Sequence, residues 1–491
     1  MDNIGFLVSL AVLLAALHAF LFGLFSARYT TKPLLILILL VSSLTAYFMD
    51  SYHVVIDTGM IRNTLQTNFS EALDLLSPKL IAYFVFLGVL PSYLVYHAPI
   101  HYRGFKRELF SKLLLLLLTG LLMAGTLFLF SKHYTSFIRE HKPLRYTTNP
   151  SYWIYSGVKY IKKNYFTTPI ILQAVGEDAK ISEGAKPKLI ILVVGEATRA
   201  DHWGLNGYSK ETTPQLKADG VVNFPTLYSC GTATAQSVPC MFSKFGREDF
   251  TYRRGVGYEN VLDILKHTGK VSQLWRDNNS DSKGVALRIP YEDYKTATRN
   301  TICEEDGECR DEGMLVGLDT YIKDQNRSNI LITLHQMGNH GPAYYKRYPK
   351  QYARFSPVCQ TNQLEECTNQ EITNAYDNAI LHTDAFLSQT IALLKKYTAD
   401  YEVGLIYMAD HGESLGENGV YLHGLPYFMA PDAQKHVAAV MWFSDPKRME
   451  RLRRIATKPY AHDHLFHTLL GLFEVETAVY DPLMDILHDT P

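Results

Sequence analysis

The chain has 491 residues, with 48 lysines and arginines against 49 aspartates and glutamates and a formal net charge of −1. That length accommodates two or three domains, and the charge balance excludes the strongly basic footprint of a nucleic-acid-binding protein. The apolar fraction of 47% is unevenly spread, because most of the long apolar runs precede Ser131.

Four segments read as membrane helices: Gly5–Phe25, Leu34–Phe48, Leu80–Tyr96 and Leu113–Phe130. The last, LLLLLLTGLLMAGTLFLF, carries no charge and is long enough to cross a hydrocarbon core of about 30 Å. Leu34–Phe48 is shorter than a span requires, so apolar neighbours must extend it. Arg28 and Lys32 lie between the first two helices, and Arg103, Lys106, Arg107 and Lys112 between the last two. Both loops are therefore expected on the cytoplasmic side. The chain after Ser131 then lies outside, as does the Met1 end.

Residues 132–187 read as a connector along the membrane surface. Tyr134, Phe137, Arg139, Lys142, Trp153, Tyr155 and Tyr160 mix aromatic and basic character there, as suits an interface. Between the second and third helices lies MIRNTLQTNFSEALDLL. On a helix, Asn63, Thr67 and Glu71 share one face at i, i+4 and i+8, while Leu65, Phe69, Leu73 and Leu76 offer an apolar side. Such a helix is expected in the plane of the interface.

From Lys188 the pattern changes. KLIILVVGE, KVSQLWRD, NILITLHQMG, EVGLIYMADHG and HVAAVMWFS are short apolar runs, and helical stretches separate several of them. Buried strands alternating with helices predict an α/β domain with a mostly parallel sheet. Ligands of such sheets bind beyond the carboxyl ends of the strands. Those ends deliver Glu196, the pair Asp410 and His411, and the run leading to His340. Oxygen and imidazole donors converging there suit zinc.

All six cysteines fall after Ser131, in three close pairs: Cys230 with Cys240, Cys303 with Cys309, and Cys359 with Cys367. Zinc ribbons space their cysteines more tightly. Three local disulfides in an oxidising compartment are the expectation. The first pair brackets SCGTATAQSVPC, a loop carrying Thr232, Thr234 and Ser237. A hydroxyl is a weak nucleophile unless a metal or base activates it, and it must be held in line with its target. A disulfide ring beside a metal site would do that holding. On the residues alone, any of the three hydroxyls is a candidate attacker.

Taken together, VVGEATRADHWGLNGY, SCGTATAQSVPCMFS, LWRDNNSDSKG, HQMGNHGPAYYKRYP, NAYDNAILHTDAF and ADHGESLGENGVYLHG resemble the lipid A phosphoethanolamine transferases, which include the mobile colistin-resistance enzymes. HKPLR in the connector and GVLPSYLV in the membrane part extend the similarity. The resemblance implies a helical transmembrane domain (1–131), an interfacial connector (132–187) and a periplasmic α/β domain of the alkaline-phosphatase and sulfatase type (188–491). It places zinc on Glu196, Asp410 and His411, and the nucleophile, also a zinc ligand, on Thr234. It implies one tight zinc, with a second at His340 and His423 in some family structures. Asn279, Lys283, His340, Glu413 and His423 match substrate-pocket residues, and Asn63, Thr67 and Glu71 fall in a segment matching one that lines the donor-lipid site.

The implied reaction moves phosphoethanolamine from phosphatidylethanolamine to a lipid A phosphate through a threonine intermediate, conferring polymyxin resistance. It implies a multi-pass protein of the bacterial inner membrane, taken as a monomer, without nucleic acid. Rival readings are a related phosphoglycerol or phosphoethanolamine transferase acting on a glycan or protein, and a non-catalytic, metal-stabilised membrane sensor. Two departures stand out. The family's VVGETAR is VVGEATR here, exchanging Ala197 and Thr198. Family members usually have five membrane helices and four are read here, so the resemblance implies a first helix absent from this chain.

Overall fold

The long apolar runs form helices because every backbone polar group inside a bilayer must be satisfied within its own segment. The computed structural model describes residues 2–488, apart from 68, 132, 135–136, 138–140, 167–168, 183–185, 305–306 and 326–328, and leaves the side chains of 2–3, 69–71 and 142–143 undescribed. Among the described residues the helices are α1 (Asp2–Phe25), α2 (Thr31–Tyr52), α3 (Thr58–Gln66), α4 (Phe69–Asp74), α5 (Pro78–Tyr83), α6 (Leu90–His97), α7 (Phe105–Leu129) and α8 (Ser151–Tyr165). Four stretches are long and apolar enough to cross a membrane: Ile4–Phe25, Thr31–Tyr52, Pro78–His97 and Phe105–Leu129. The third runs through α5, a π-helical turn at Phe84–Val89 and α6. The second span is longer than its apolar run suggested, because Thr31, Lys32 and the sequence up to Tyr52 continue the helix at both ends.

The chain forms two units. One comprises the residues up to Ser51, Val55–Thr58 and Leu76–Tyr165; the other comprises Tyr52–Val54, Gly59–Leu75 and Phe166–Pro491. In the first, α1 and α7 lie side by side. The loop lysines serve the helix ends: Lys32 Nζ donates to the Tyr96 carbonyl at 2.6 Å and Lys112 Nζ to that of Ser26 at 3.1 Å. The connector helix α8 belongs here too. Asn149 donates to the Ser42 carbonyl at 2.9 Å, Trp153 Nε1 lies 3.2 Å from Ser42 Oγ, and Ser151 bonds His18 at 2.7 Å.

The second unit is built on a seven-stranded sheet. Its strands are β1 (Lys188–Gly195), β2 (Val222–Asn223), β3 (Val271–Asp277), β4 (Tyr291–Asp293), β5 (Asn329–His335), β6 (Glu402–Ala409) and β7 (Ala439–Phe443), in the spatial order β2-β7-β6-β1-β5-β3-β4. The pairs from β6 across to β4 are parallel, and β7 runs antiparallel to both neighbours. Every residue of β1, β3 and β5 is buried, as expected of strands covered on both faces. Two further helices position the site. One is α9 (Thr234–Met241); the other is α10 (Asn369–Lys395), opened by a Thr368/Glu371 capping box. The stretch NAYDNAILHTDAFLSQTIALLKKY lies almost wholly in α10. DEGMLVGLDTYIKD divides into a tight turn (Asp311–Leu315) and a short helix (Leu318–Lys323) at Val316 and Gly317, where Gly317 adopts φ +75°.

The segment after the second span also divides. A single helix was expected to carry Asn63, Thr67 and Glu71; instead α3 stops at Gln66 and α4 starts at Phe69. Thr67 still donates to the Asn63 carbonyl at 2.9 Å, whereas the side chain of Glu71 lies outside the described residues.

Candidate functional site

The parallel strands end together, and their last residues meet. Glu196 follows β1, Asp410 and His411 follow β6, and all three are fully buried. One ligand atom from each lies within 4.8 Å of the others. Glu196 Oε1 and Asp410 Oδ2 accept no hydrogen bond and lie 3.2 and 3.4 Å from His411 Nε2. Two buried carboxylate oxygens without donors are costly unless a cation shares them. Two carboxylates and one imidazole offer oxygen and nitrogen donors of the kind zinc accepts, so the residues present fit that metal.

The charges act on one another. Burial pushes the Glu196 carboxyl up, but His411, and beyond it His340 and His423, hold it well below the usual carboxylate range. Burial and the Glu196 charge push Asp410 up. Burial would lower His411, yet Asp410 and Glu196 raise it to about 10. A cation at the focus of three such groups resolves that conflict.

A hydroxyl of the disulfide loop stands beside these three residues. Cys230 and Cys240 are joined, and between them α9 begins at Thr234. Its Oγ1 lies 3.2 Å from Glu196 Oε2 and 3.2 Å from His411 Nε2. A helix start directs unpaired N–H groups outward and favours an anion there. The two rival hydroxyls are occupied elsewhere. Thr232 donates to the Leu425 carbonyl at 2.6 Å, and Ser237 donates to the Asp410 carbonyl and lies 3.2 Å from His462 Nδ1.

The other residues that the resemblance matched to a substrate pocket make the following contacts. Asn279 Nδ2 donates to Glu196 Oε2 and to the Gln336 carbonyl, both at 2.7 Å. Glu413 accepts from Tyr344 Oη and from His423 Nδ1, each at 2.7 Å. The His423 ring stands 4.2 Å from that of His411 and 5.7 Å from that of His340, and His411, Glu413 and His423 form a second group able to hold a metal. Lys283, at φ +50°, sends Nζ to the Ser280 carbonyl at 2.8 Å and towards that of Gln66 at 3.4 Å. Asn63 and Thr67 lie on and just beyond α3, in the same unit.

Local backbone explains how these groups reach one point. Ala197 sits at φ +52°, an uncommon conformation for a residue with a Cβ, and its N–H donates to Asp410 Oδ1 at 3.2 Å. The exchanged residue Thr198 donates to the Glu196 carbonyl at 3.2 Å and accepts from Asn339 at 2.6 Å and Tyr407 at 2.8 Å. Gly338, at φ +49°, passes so close to Glu196 that a Cβ would lie 3.1 Å from Glu196 Cβ.

Several residues here were not singled out in the sequence. Arg199 is buried and reaches Asp201, Glu417 and the Glu413 carbonyl. Asp277 and His335, at the ends of β3 and β5, bond at 2.9 Å. The strand-end rule that found Glu196 and Asp410 marks both of these as well. His462 has no such signal, because it comes from a short turn late in the chain.

A family model described as "Sulfatase" matches residues 188–475, and one described as "Phosphoethanolamine transferase EptA/EptB" matches residues 14–165. The phosphatidylethanolamine transferase Mcr-2 of Escherichia coli is 46% identical over 96% of this chain and 89% of its own. The phosphoethanolamine transferase EptA of E. coli K12 is 37% identical over 99% of this chain and 91% of its own. The integral membrane lipooligosaccharide phosphoethanolamine transferase A of Neisseria meningitidis superposes with a TM-score of 0.94 at 36% identity, covering 99% of this chain and 92% of that one. A sulfatase-type site at the strand ends, behind a membrane part of matching sequence, places this chain in the phosphoethanolamine transferase family.

Proposed function

We propose that this enzyme, a multi-pass protein of the bacterial inner membrane with a periplasmic catalytic domain, transfers phosphoethanolamine from phosphatidylethanolamine to a phosphate of lipid A. The reading rests above all on Thr234 Oγ1, 3.2 Å from both Glu196 and His411 at the start of α9. In the first half-reaction Oγ1 attacks the phosphorus of the donor. The Oγ1–P bond forms, the P–O bond to glycerol breaks, and the threonine's proton passes to the departing diacylglycerol oxygen. In the second, an oxygen of the lipid A phosphate attacks the same phosphorus. The P–Oγ1 bond breaks, and the acceptor's proton returns to Thr234.

Glu196, Asp410, His411 and Thr234 would hold a zinc ion, which when bound would lower the pKa of the threonine hydroxyl and offset charge developing on the phosphoryl oxygens. Lys283 adds positive charge on the phosphate side. Asn279 holds Glu196, and Glu413 orients His423 through Nδ1. His340 and His423 face the transferring group. The donor's ammonium falls to Glu71, and Asn63 and Thr67 belong to the same donor-lipid segment. The added amine reduces the negative charge of lipid A, which weakens its attraction for cationic polymyxins.

Mass spectrometry of lipid A from cells with and without the protein tests the reading. Phosphoethanolamine on lipid A phosphate is expected. Unmodified lipid A beside a newly modified glycan or protein would overturn the acceptor, and a phosphoglycerol adduct would overturn the donor.

A further inference from the structure

The Gly59–Leu75 segment lies in sequence between two membrane spans, yet it is built into the catalytic unit. Its firmest attachment is Asp74. Lys346 Nζ donates to Asp74 Oδ1 at 2.7 Å and Arg347 Nη2 to Oδ2 at 2.8 Å. Burial would raise the Asp74 carboxyl, but Arg347 and Lys346 hold it below its ordinary range. Arg347 is only 4% exposed. Its Nη1 pairs with Glu308, and its Nε donates to the His340 carbonyl at 2.7 Å. One guanidinium therefore joins the segment to the backbone of a pocket histidine. A planar fork with this many fixed donors is suited to that task, and a lysine is not.

The two disulfide rings with no place in the reaction both reach this hub. The Cys303–Cys309 ring carries Glu308, and the Cys359–Cys367 ring carries Asn362, whose Nδ2 donates to the Asp74 carbonyl. The Asn362 carbonyl in turn accepts from Tyr52 Oη at 3.1 Å. Arg62 stacks over Tyr252, 4.0 Å from the ring centre, as a second anchor.

We propose that Asp74 and Arg347 are positioning residues, which seat the donor-lipid segment on the catalytic unit and set His340 in register with it, with the two outer disulfide rings bracing the pair. The inference rests on the reading of His340 and residues 63–71 as substrate-facing. Full-length protein in vesicles of phosphatidylethanolamine and lipid A provides the test. Asp74→Asn is expected to raise the KM for phosphatidylethanolamine about tenfold, with a smaller fall in kcat from the displaced His340, and Asp74→Glu is expected to restore both. Hydrogen exchange in Asp74→Asn is expected to rise at 59–75 and at 338–341 together, with β1, β5 and β6 unchanged. An unchanged KM, or faster exchange confined to 59–75, would overturn the proposal. Should Asp74→Asn not accumulate, Asn362→Ala, which removes the bond to the Asp74 carbonyl while leaving Asp74 and Arg347 themselves intact, is read in the same two ways. The exchange arm needs no turnover. It decides the inference even where the wild type fails to modify lipid A, a result that counts against the functional reading alone.

Discussion

Thr234 Oγ1 stands 3.2 Å from His411 Nε2, while Thr232, two residues earlier in the same disulfide loop, spends its hydroxyl on the Leu425 carbonyl. The two threonines should therefore respond differently to the same change. Thr234→Ala is expected to lower lipid A modification on the order of 10⁴-fold, the scale of losing a nucleophile, with folding and membrane insertion retained. Thr232→Ala loses one buried hydrogen bond, about 1 kcal/mol, and most of the activity should survive. Measuring modified lipid A for both variants settles it, and a dead Thr232 variant beside an active Thr234 variant reverses the assignment.

The Cys230–Cys240 ring ties the chain before α9 to the last turn of that helix, with Thr234 at the helix start inside the ring. A ring of this size stabilises a fold by about 3 kcal/mol at most in the loop-entropy account. Replacing both cysteines by serine is expected to slow turnover more than about 100-fold, because a small displacement of Thr234 is felt directly at the reacting atoms. Thermal unfolding and transfer rate, measured on the same preparation, separate the two effects. Wild-type turnover in the double variant would show that the clamp is dispensable for catalysis.

Glu71 is the proposed receptor for the donor's ammonium. Full-length Glu71→Ala is expected to lose about tenfold or more in use of phosphatidylethanolamine, the scale of one charge-assisted contact. Cleavage of a small soluble analogue by a fragment starting after the membrane helices should not change, since that fragment lacks the segment. Undiminished lipid A modification by Glu71→Ala would remove this residue from the donor site.

His462 predicts an acid-sensitive fold. Its ring is fully buried against the Ala409 carbonyl at 2.9 Å, the Cys230 N–H at 3.1 Å and Ser237 at 3.2 Å. Burial lowers its pKa to about 4. A depressed folded value means the unfolded chain binds the proton first. The contribution is full above the unfolded value near 6.5 and is lost as pH falls from there towards 4, about 3 kcal/mol over that window. Denaturant unfolding of wild type and His462→Asn between pH 7 and pH 4 should show a steep slope in the first and a shallower one in the second. Parallel slopes would place the acid sensitivity elsewhere.

Much of this protein can be read along the chain. The spans follow from local hydropathy, because a helix in lipid satisfies its own backbone and needs no partner to be recognised. The strands Lys188–Gly195 and Glu402–Ala409 follow from continuous apolar runs, and the strand-end rule then points to Glu196, Asp410 and His411. The three disulfides follow from close cysteine pairs. Choosing among the three hydroxyls of one loop needed the fold, since all three are local and alike and only their distant partners differ. The helix end at Gln66 was likewise hidden, because the i, i+4, i+8 spacing of Asn63, Thr67 and Glu71 suits one helix as well as two. Asp74 and Arg347 each lie in a stretch quoted above, but nothing in either stretch pairs them. They meet across 273 residues, and a buried ion pair between two ordinary charged side chains has neither period nor motif. Packing decides it, by removing water from both charges and bringing Lys346 and Glu308 up beside them.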